Sequence, residues 1–461
     1  MNALITASCA ANCGLYKDDT GKAFPAAALE TAALPQWQII LIMVLSMLVL
    51  FMPEKGTAKD RRDTPLTSVS VDWNGWFESC NRQPLRHTLP QTLRQRLWAE
   101  ATVKGLGPLR AFVSGYLEGD FATLNRDIDE DLITMEAHEA YLSLALPRIN
   151  VIAGLQQIRW GDADSMSVVD VINPVDYRNP VATGRSTKRL SVPAVDVKVD
   201  LDFGMLDLVA VPVPWVSRMA KHGSPWEPKD LKILRKAEKA GLVELRDGDT
   251  PASPEFGGRL KFYRQGFDLA FIYYHGYEHT PLYSSGFSRE SCKPVYYEEY
   301  KAYDTIGFST AVSLEKSTLR SEFAFKYDYP FQGRDISIYR RNDFQFLLGW
   351  DRTFLTNLFV NVQGFYFNYD GAREVPGIDR QRYGVTFNIE DKFFDEALRS
   401  GIRGMYYMNN QDLCVEWFNE YDYDDHWKIN FGIMTLWGDK KESIGQYKDN
   451  DYVYAGFKYL F

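Results

Sequence analysis

Long apolar runs are almost absent from this 461-residue chain. The one candidate, 39–51 (IILIMVLSMLVLF), falls short of the about 20 apolar residues that a helix needs to cross a bilayer. A bundle of membrane-spanning helices is therefore excluded. Positive charge is not in excess either: the net charge is −9, which argues against nucleic acid as a partner, because such proteins usually carry a basic surface. Cysteine is scarce, with five residues, Cys9, Cys13, Cys80, Cys292 and Cys414. None stands in a CxxC pair or in metal-ligand spacing, and an odd count after loss of a leader resists a full disulfide framework. No Gly-x-Ser-x-Gly elbow and no Walker loop occur. Of the six histidines (His87, His138, His222, His275, His279 and His426) only His275 and His279 share an i, i+4 spacing. That spacing makes a metal pair on a helix, and here it falls on an extended segment. Neither metal nor cofactor is expected, and the chain does not read as an enzyme.

Aromatic residues, by contrast, are plentiful: 27 Tyr, 28 Phe and 11 Trp, or 14% of the chain. Most follow residue 250, and they alternate with polar residues at period two, the signature of strands with one apolar face. In 451–461, Val453, Ala455, Phe457, Tyr459 and Phe461 lie on one face, with Tyr452, Tyr454, Gly456, Lys458 and Leu460 on the other. The same alternation recurs in 427–433, 413–418, 383–390, 343–351 and 319–329. Runs in which apolar residues face charged ones are hard to bury in a soluble core. A lipid-facing, water-filled barrel requires them, since every backbone group must pair and no edge can stay open.

Connections point the same way. Short turns at 105–108, 147–149, 203–205, 264–266, 315–318, 351–355, 394–399 and 423–426 alternate with long polar stretches at 121–135, 162–188, 214–254, 282–302, 331–341, 371–380 and 439–450. Outer-membrane barrels have short periplasmic turns and longer external loops. Counting back from Phe461 gives seventeen strands as far as 93–104. One more, where Val69, Val71, Trp73, Gly75 and Phe77 alternate with Ser70, Asp72, Asn74, Trp76 and Glu78, returns the N-terminus to the periplasm. The expected fold is all-β, a transmembrane antiparallel up-and-down barrel of about 18 strands over 67–461, or 16 if an early pair is misread. Residues 1–58 read as a leader with a signal peptide cleaved after Ala58, preceded by an irregular segment that an upstream start-codon error would explain. Residues 59–66 read as a short periplasmic linker. Within the 214–254 loop, 228–245 has helical periodicity.

Several patches resemble an uncharacterised family of bacterial outer-membrane barrels classed as a domain of unknown function. They are Asn74-Gly75-Trp76-Phe77-Glu78, Glu139-Ala140-Tyr141-Leu142, Gly154-Leu155-Gln156-Gln157-Ile158-Arg159-Trp160-Gly161-Asp162, Asp170-Val171-Ile172-Asn173-Pro174-Val175-Asp176 and Glu255-Phe256-Gly257-Gly258-Arg259-Leu260. The resemblance implies a porin-like protein of the Gram-negative outer membrane, in a family sometimes associated with export systems for lipids or hydrophobic compounds.

The functional expectation is a channel or transporter that passes a small solute or a hydrophobic molecule. The alternatives are a scaffold barrel that docks a periplasmic partner, such as an exporter component or a cytochrome, and an outer-membrane hydrolase. Membrane lipid is an expected partner, as is the outer-membrane assembly machinery, through the C-terminal strand ending in Phe461. Strand parity places Arg94, Arg96, Arg110, Arg320, Glu322, Lys326, Arg399, Arg403, Glu416, Glu420, Lys428 and Lys458 in the lumen. There they either set selectivity as charged rings or pair across strands. Arg399 and Arg403 face Glu416 and Glu420, whereas Arg94, Arg96 and Arg110 read as a more one-signed patch. The loop 162–188 is expected to fold into the mouth as the main constriction. Trp160 and Asp162 sit at its sharp start, and Asp164, Asp170, Asn173, Asp176 and Arg178 lie along it. Val168-Val169-Asp170-Val171-Ile172 is too apolar for an exposed loop.

Overall fold

The computed structural model describes residues 69–86, 91–120, 133–181, 188–246, 248 and 251–461. The expected leader 1–58 and linker 59–66, and His87, lie outside the described residues. Eighteen strands form one closed antiparallel sheet. In chain order they are β1 (Ser70–Pro84), β2 (Thr92–Leu106), β3 (Leu109–Asp120), β4 (Ile133–Ala145), β5 (Ile149–Gln156), β6 (Val192–Leu201), β7 (Gly204–Val211), β8 (Glu255–Arg264), β9 (Phe267–Tyr277), β10 (Ala302–Leu314), β11 (Ser317–Gln332), β12 (Ile338–Phe354), β13 (Leu358–Tyr369), β14 (Gln381–Phe393), β15 (Leu398–Tyr407), β16 (Asp412–Asp422), β17 (Trp427–Trp437) and β18 (Tyr452–Leu460). Each pairs with its successor, and β18 closes on β1 from Trp76 against Leu460 to Pro84 against Tyr452. Beyond that ladder, the amide of Phe461 donates to Gly75 O at 3.1 Å. All eight short turns read from the sequence connect strands at one end, and both chain ends of the barrel lie at that end.

Period-two sequence becomes two chemically different surfaces. Along β12, Asp343, Gln345 and Leu347 are buried, and Phe344, Phe346 and Leu348 between them are exposed. The same outward exposure holds for Leu117, Leu142, Leu208, Phe271, Ile306, Leu319, Trp417 and Phe457. An apolar band this continuous has no counterpart on a monomeric soluble protein and is the surface that lipid requires.

Strand length varies around the ring. β5 and β7 have 8 residues each, and β11 and β12 have 16 and 17. Above the long strands the sequence pattern 331–341 suggested a loop, but the ladder resumes after a register shift at Lys326/Tyr329 and leaves 333–337 as the connection. The 282–302 loop is itself a hairpin, Leu282–Ser288 against Lys293–Glu299, joined in parallel by Glu244–Arg246. Helix α1, Lys229–Lys239, is therefore shorter than the 228–245 periodicity suggested, because 244–246 finds backbone partners on that strand edge.

The outward band makes a measurable demand. Leu348→Arg on the exposed face of β12 is expected to lower the unfolding free energy in lipid vesicles by about 2–4 kcal/mol, the cost of arginine near a bilayer midplane. Urea titration combined with heat-modifiable gel migration reads this; an unshifted midpoint would mean that this face does not meet lipid.

Candidate functional site: one loop inside the barrel

The chain leaves β5 at Gln156 and re-enters the sheet at Val192, and 158–172 of the connection pack against the inner wall of the barrel, while 182–187 lie outside the described residues. Trp160, Val169 and Ile172 are fully buried, and with Ile158, Ala163, Val168 and Val171 they form one cluster with Val192, Ala194, Val209, Val211, Ile272, Tyr274, Ala324 and Leu347 of the wall. The apolar run that made this loop unfit for water thus meets the inner faces of the strands.

Two glycines permit the entry. Gly161 has φ +95°, and a Cβ there would fall 2.7 Å from Glu322 Oε1 and 2.3 Å from Ser167 Oγ. Gly257 on β8 leaves room for the Trp160 ring, 3.0 Å from where its own Cβ would stand. Trp160 Nε1 donates to Asp207 Oδ2 (3.2 Å), and Arg259 donates to the same oxygen (2.8 Å). Two of the patches of sequence resemblance, 154–162 and 255–260, are therefore parts of one joint.

The tip is held by the far wall. Glu322 on β11 is fully buried and accepts from Ala163 N (2.9 Å), Ser167 Oγ (2.7 Å) and Val168 N (2.9 Å). Gln363 on β13 accepts from Ser165 N (3.1 Å) and Met166 N (3.2 Å). Asp164 accepts from Asn361 (2.9 Å) and Arg320 (3.3 Å), and Asp162 from Ser309 (2.8 Å) and Lys261 (3.3 Å). Arg320 also binds Asp351. The returning arm is braced internally: Asn173 accepts from Ile158 N (2.9 Å) and donates to Leu190 O (2.6 Å), and Arg189 pairs with Asp170 at 3.1 Å.

On the other side of the lumen Arg178 is held by Asp176 at 2.7 Å and lies 3.8 Å from Glu118. Arg94 and Arg96 stand beside the same glutamate, and Arg94 also reaches Glu78 at 3.5 Å. This wall is mixed in sign rather than a basic patch, because β1 and β3 supply carboxylates at the register of the arginines on β2. Arg110 stands apart, exposed next to the 107–108 turn. Arg399 pairs with Glu420 and Arg403 with Glu416, both at 2.7 Å. Lys428 pairs with Asp422 at 2.9 Å. Lys458 lies 3.9 Å over the Trp76 ring, and Lys326 lies over Tyr303 and Tyr329 at 5.7 and 4.9 Å. Sequence reading missed Gln363, Asn361, Asp207, Arg259, Glu118 and Glu136; a polar residue at an inward position of each strand is the signal that they offered.

At the long-loop end, Val181, Trp226 and Tyr447 pack with Cys414, Met434, Leu436 and Tyr452 over the mouth. Glu227 braces this cap. Its carboxylate accepts from Arg235 (2.9 Å) and from Gly223 N (3.1 Å) and faces His222 Nδ1 (3.2 Å). Burial pushes its pKa up, but the hydrogen bonds from Arg235, Gly223 and His222 outweigh burial and hold it below the ordinary glutamate value.

The chain belongs to the family "Protein of unknown function (DUF1302)", whose model matches residues 134–461. Among solved structures it is similar to OccAB4 of Acinetobacter baumannii, at 9% identity over 86% of this chain and 100% of that one, with a TM-score of 0.50. DcaP, an outer-membrane channel of the same organism, matches at 12% identity over 85% and 97%, TM-score 0.44. OmpF of Salmonella typhi, solved with daunomycin, matches at 8% identity over 85% and 97%, TM-score 0.41. No curated protein matches in sequence. The likeness to OccAB4 gives the fold, a porin-like barrel.

Glu322→Ala is expected to strand two amides and a hydroxyl, each at a cost of about 1–3 kcal/mol if it stays buried. Hydrogen exchange at Ala163 and Val168 should then rise at least tenfold while the barrel still migrates as folded. Unchanged protection would show that Glu322 does not hold the tip. The Glu227 brace has its own pH window. A carboxylate with a depressed pKa in the fold contributes fully above the ordinary value and loses that contribution as pH falls through the depressed one. Exchange across 222–240 should stay slow through mild acid and accelerate only below the ordinary glutamate range, and Glu227→Gln should remove that step.

Proposed function

We propose that this protein is an outer-membrane channel that passes a small solute or a hydrophobic molecule along the part of the lumen left open by the 162–188 loop. The observation that supports this reading is the span of the loop. It leaves the fifth strand and its tip is bound by Glu322 on the eleventh and Gln363 on the thirteenth, eight strands away in a ring of eighteen. A segment anchored nearly a full diameter from its origin divides the lumen, and the several hydrogen bonds at its tip favour one position.

In this reading Trp160, Asp162, Asp164, Asp170 and Asn173 build the divider. Asp176 and Arg178 form its edge towards the open side, and Arg94, Arg96, Glu78 and Glu118 form the wall they face. Paired charges at close quarters leave that passage with little net charge, so it selects for neither sign of ion. Lipid surrounds the outward band, and the strand that ends in Phe461 serves recognition by the assembly machinery.

Replacing 163–185 by a short Gly/Ser linker is expected to raise single-channel conductance in planar bilayers severalfold, and antibiotic entry in cells, with the barrel still heat-modifiable. A folded deletion that conducts no better than the parent would place the constriction elsewhere. A parent that never conducts, but purifies with a stoichiometric periplasmic protein, would favour the scaffold reading instead.

A further inference from the structure

The sheet has a break beside β4. Its ladder to β5 covers only 140–145, so 133–139 has no partner strand on that side among the described residues. A partly open cavity of about 290 Å³ lies there, lined by Tyr116, His138, Leu190, Ser191, Trp215 and Arg218 among others. That volume is at the lower end of the about 300–1,000 Å³ of drug-sized ligand sites, and an apolar lining with a few polar groups is the usual composition of such sites.

The polar groups differ in whether they are spoken for. Glu136 and Arg218 are 2.8 Å apart, and Tyr116 donates to Glu136 at 2.6 Å, so this ion pair is satisfied within the protein. His138 is the extra residue of a bulge between Ser114/Glu139 and Gly115/Ala137. Its ring lies edge-on to Trp98 at 4.8 Å, and its nitrogens have no hydrogen-bond partner among the described residues. Ser191 is 5% exposed, and its buried hydroxyl likewise has no partner among the described residues. A buried hydroxyl left unpaired costs free energy that a ligand would recover. Next to the cavity, Trp76, Trp98 and Tyr116 stack at 5.8 and 6.3 Å with nearly parallel planes, a rigid aromatic ledge on the lumen wall.

We propose that this cavity binds one small, uncharged molecule with a compact hydrocarbon body and a single hydroxyl or carbonyl oxygen, the class of the phenols and cyclic alcohols. The body meets Tyr116, Leu190 and Trp215; the oxygen answers Ser191 and His138. Ions are disfavoured, because Glu136 and Arg218 already neutralise each other and an ion entering this cleft would lose its water without a counter-charge. The inference deepens the channel reading by naming a substrate class, but binding is measured without any flow of solute.

The test uses the full chain in lipid nanodiscs and fluorine NMR of 4-fluorophenol, 4-fluorotoluene and 4-fluorobenzoate. Expected is saturable binding of 4-fluorophenol, with 4-fluorobenzoate at least tenfold weaker. Ser191→Val should weaken 4-fluorophenol about fivefold, the worth of one neutral hydrogen bond, and leave 4-fluorotoluene unchanged. Leu190→Trp should abolish saturable binding of both by filling the space. No saturable 4-fluorophenol binding, equal binding of 4-fluorobenzoate, or binding that survives Leu190→Trp each overturns the proposal. If a variant fails to migrate as folded, the ranking of the three probes on the parent decides. A barrel that ranks the probes as expected yet never conducts sinks the channel reading alone, and one that conducts without binding them sinks only this site.

Discussion

A backbone in contact with lipid has no water to satisfy an unpaired amide, and this requirement governs the whole fold. Eighteen strands meet it only by closing the ring, and the closing seam is made by the first and last strands of the barrel. Residues of small volume mark that seam: Gly75 exchanges hydrogen bonds with Phe461 on the far side of the last ladder pair. Once the ring is closed, every strand has one face towards lipid and one towards the lumen. The alternation of the sequence follows from that geometry rather than from any preference of individual segments.

The interior solves a second problem of the same kind. A loop that enters the lumen brings backbone amides with it, and they need acceptors. Glu322, Gln363 and Glu139 are those acceptors, supplied by the strands, and Asp207 takes the indole N–H of Trp160. The apolar part of the loop covers the apolar inner faces of β6, β7, β9 and β11, where open water would have been costly. Polar anchoring and apolar burial are thus joined at one place, and the opposite wall is left with charge pairs and aromatic rings. A lumen with one packed half and one lined half results.

The barrel was legible in the sequence because its determinants are local: a face is set by every second residue, and a turn by a few residues of special backbone geometry. All eight short turns could be located this way. Inward positions such as Arg399, Arg403, Glu416 and Glu420 could even be matched in register, since adjacent strands fix their partners. Contacts of the loop were not legible in the same way. Parity puts Glu322 in the lumen, but not that donors 154, 155 and 159 residues earlier converge on it. Arg94 and Arg96 read as a basic patch for a related reason: the carboxylates that answer them, Glu78 and Glu118, lie on the flanking strands. Helix α1 ends early because a strand edge, invisible to periodicity, captures 244–246.

The anchoring of the loop also orders events in time. Its partners on β11 and β13 come more than 150 residues later in the chain than the segment they hold. When the first five strands emerge, the loop that follows them has no wall to bind, and its apolar stretch is bare. Contacts of such long sequence separation form slowly, since a large closure entropy precedes any gain. The lumen therefore takes its final shape only when the far wall arrives. Until then the apolar stretch 168–172 lacks the wall that buries it in the finished barrel.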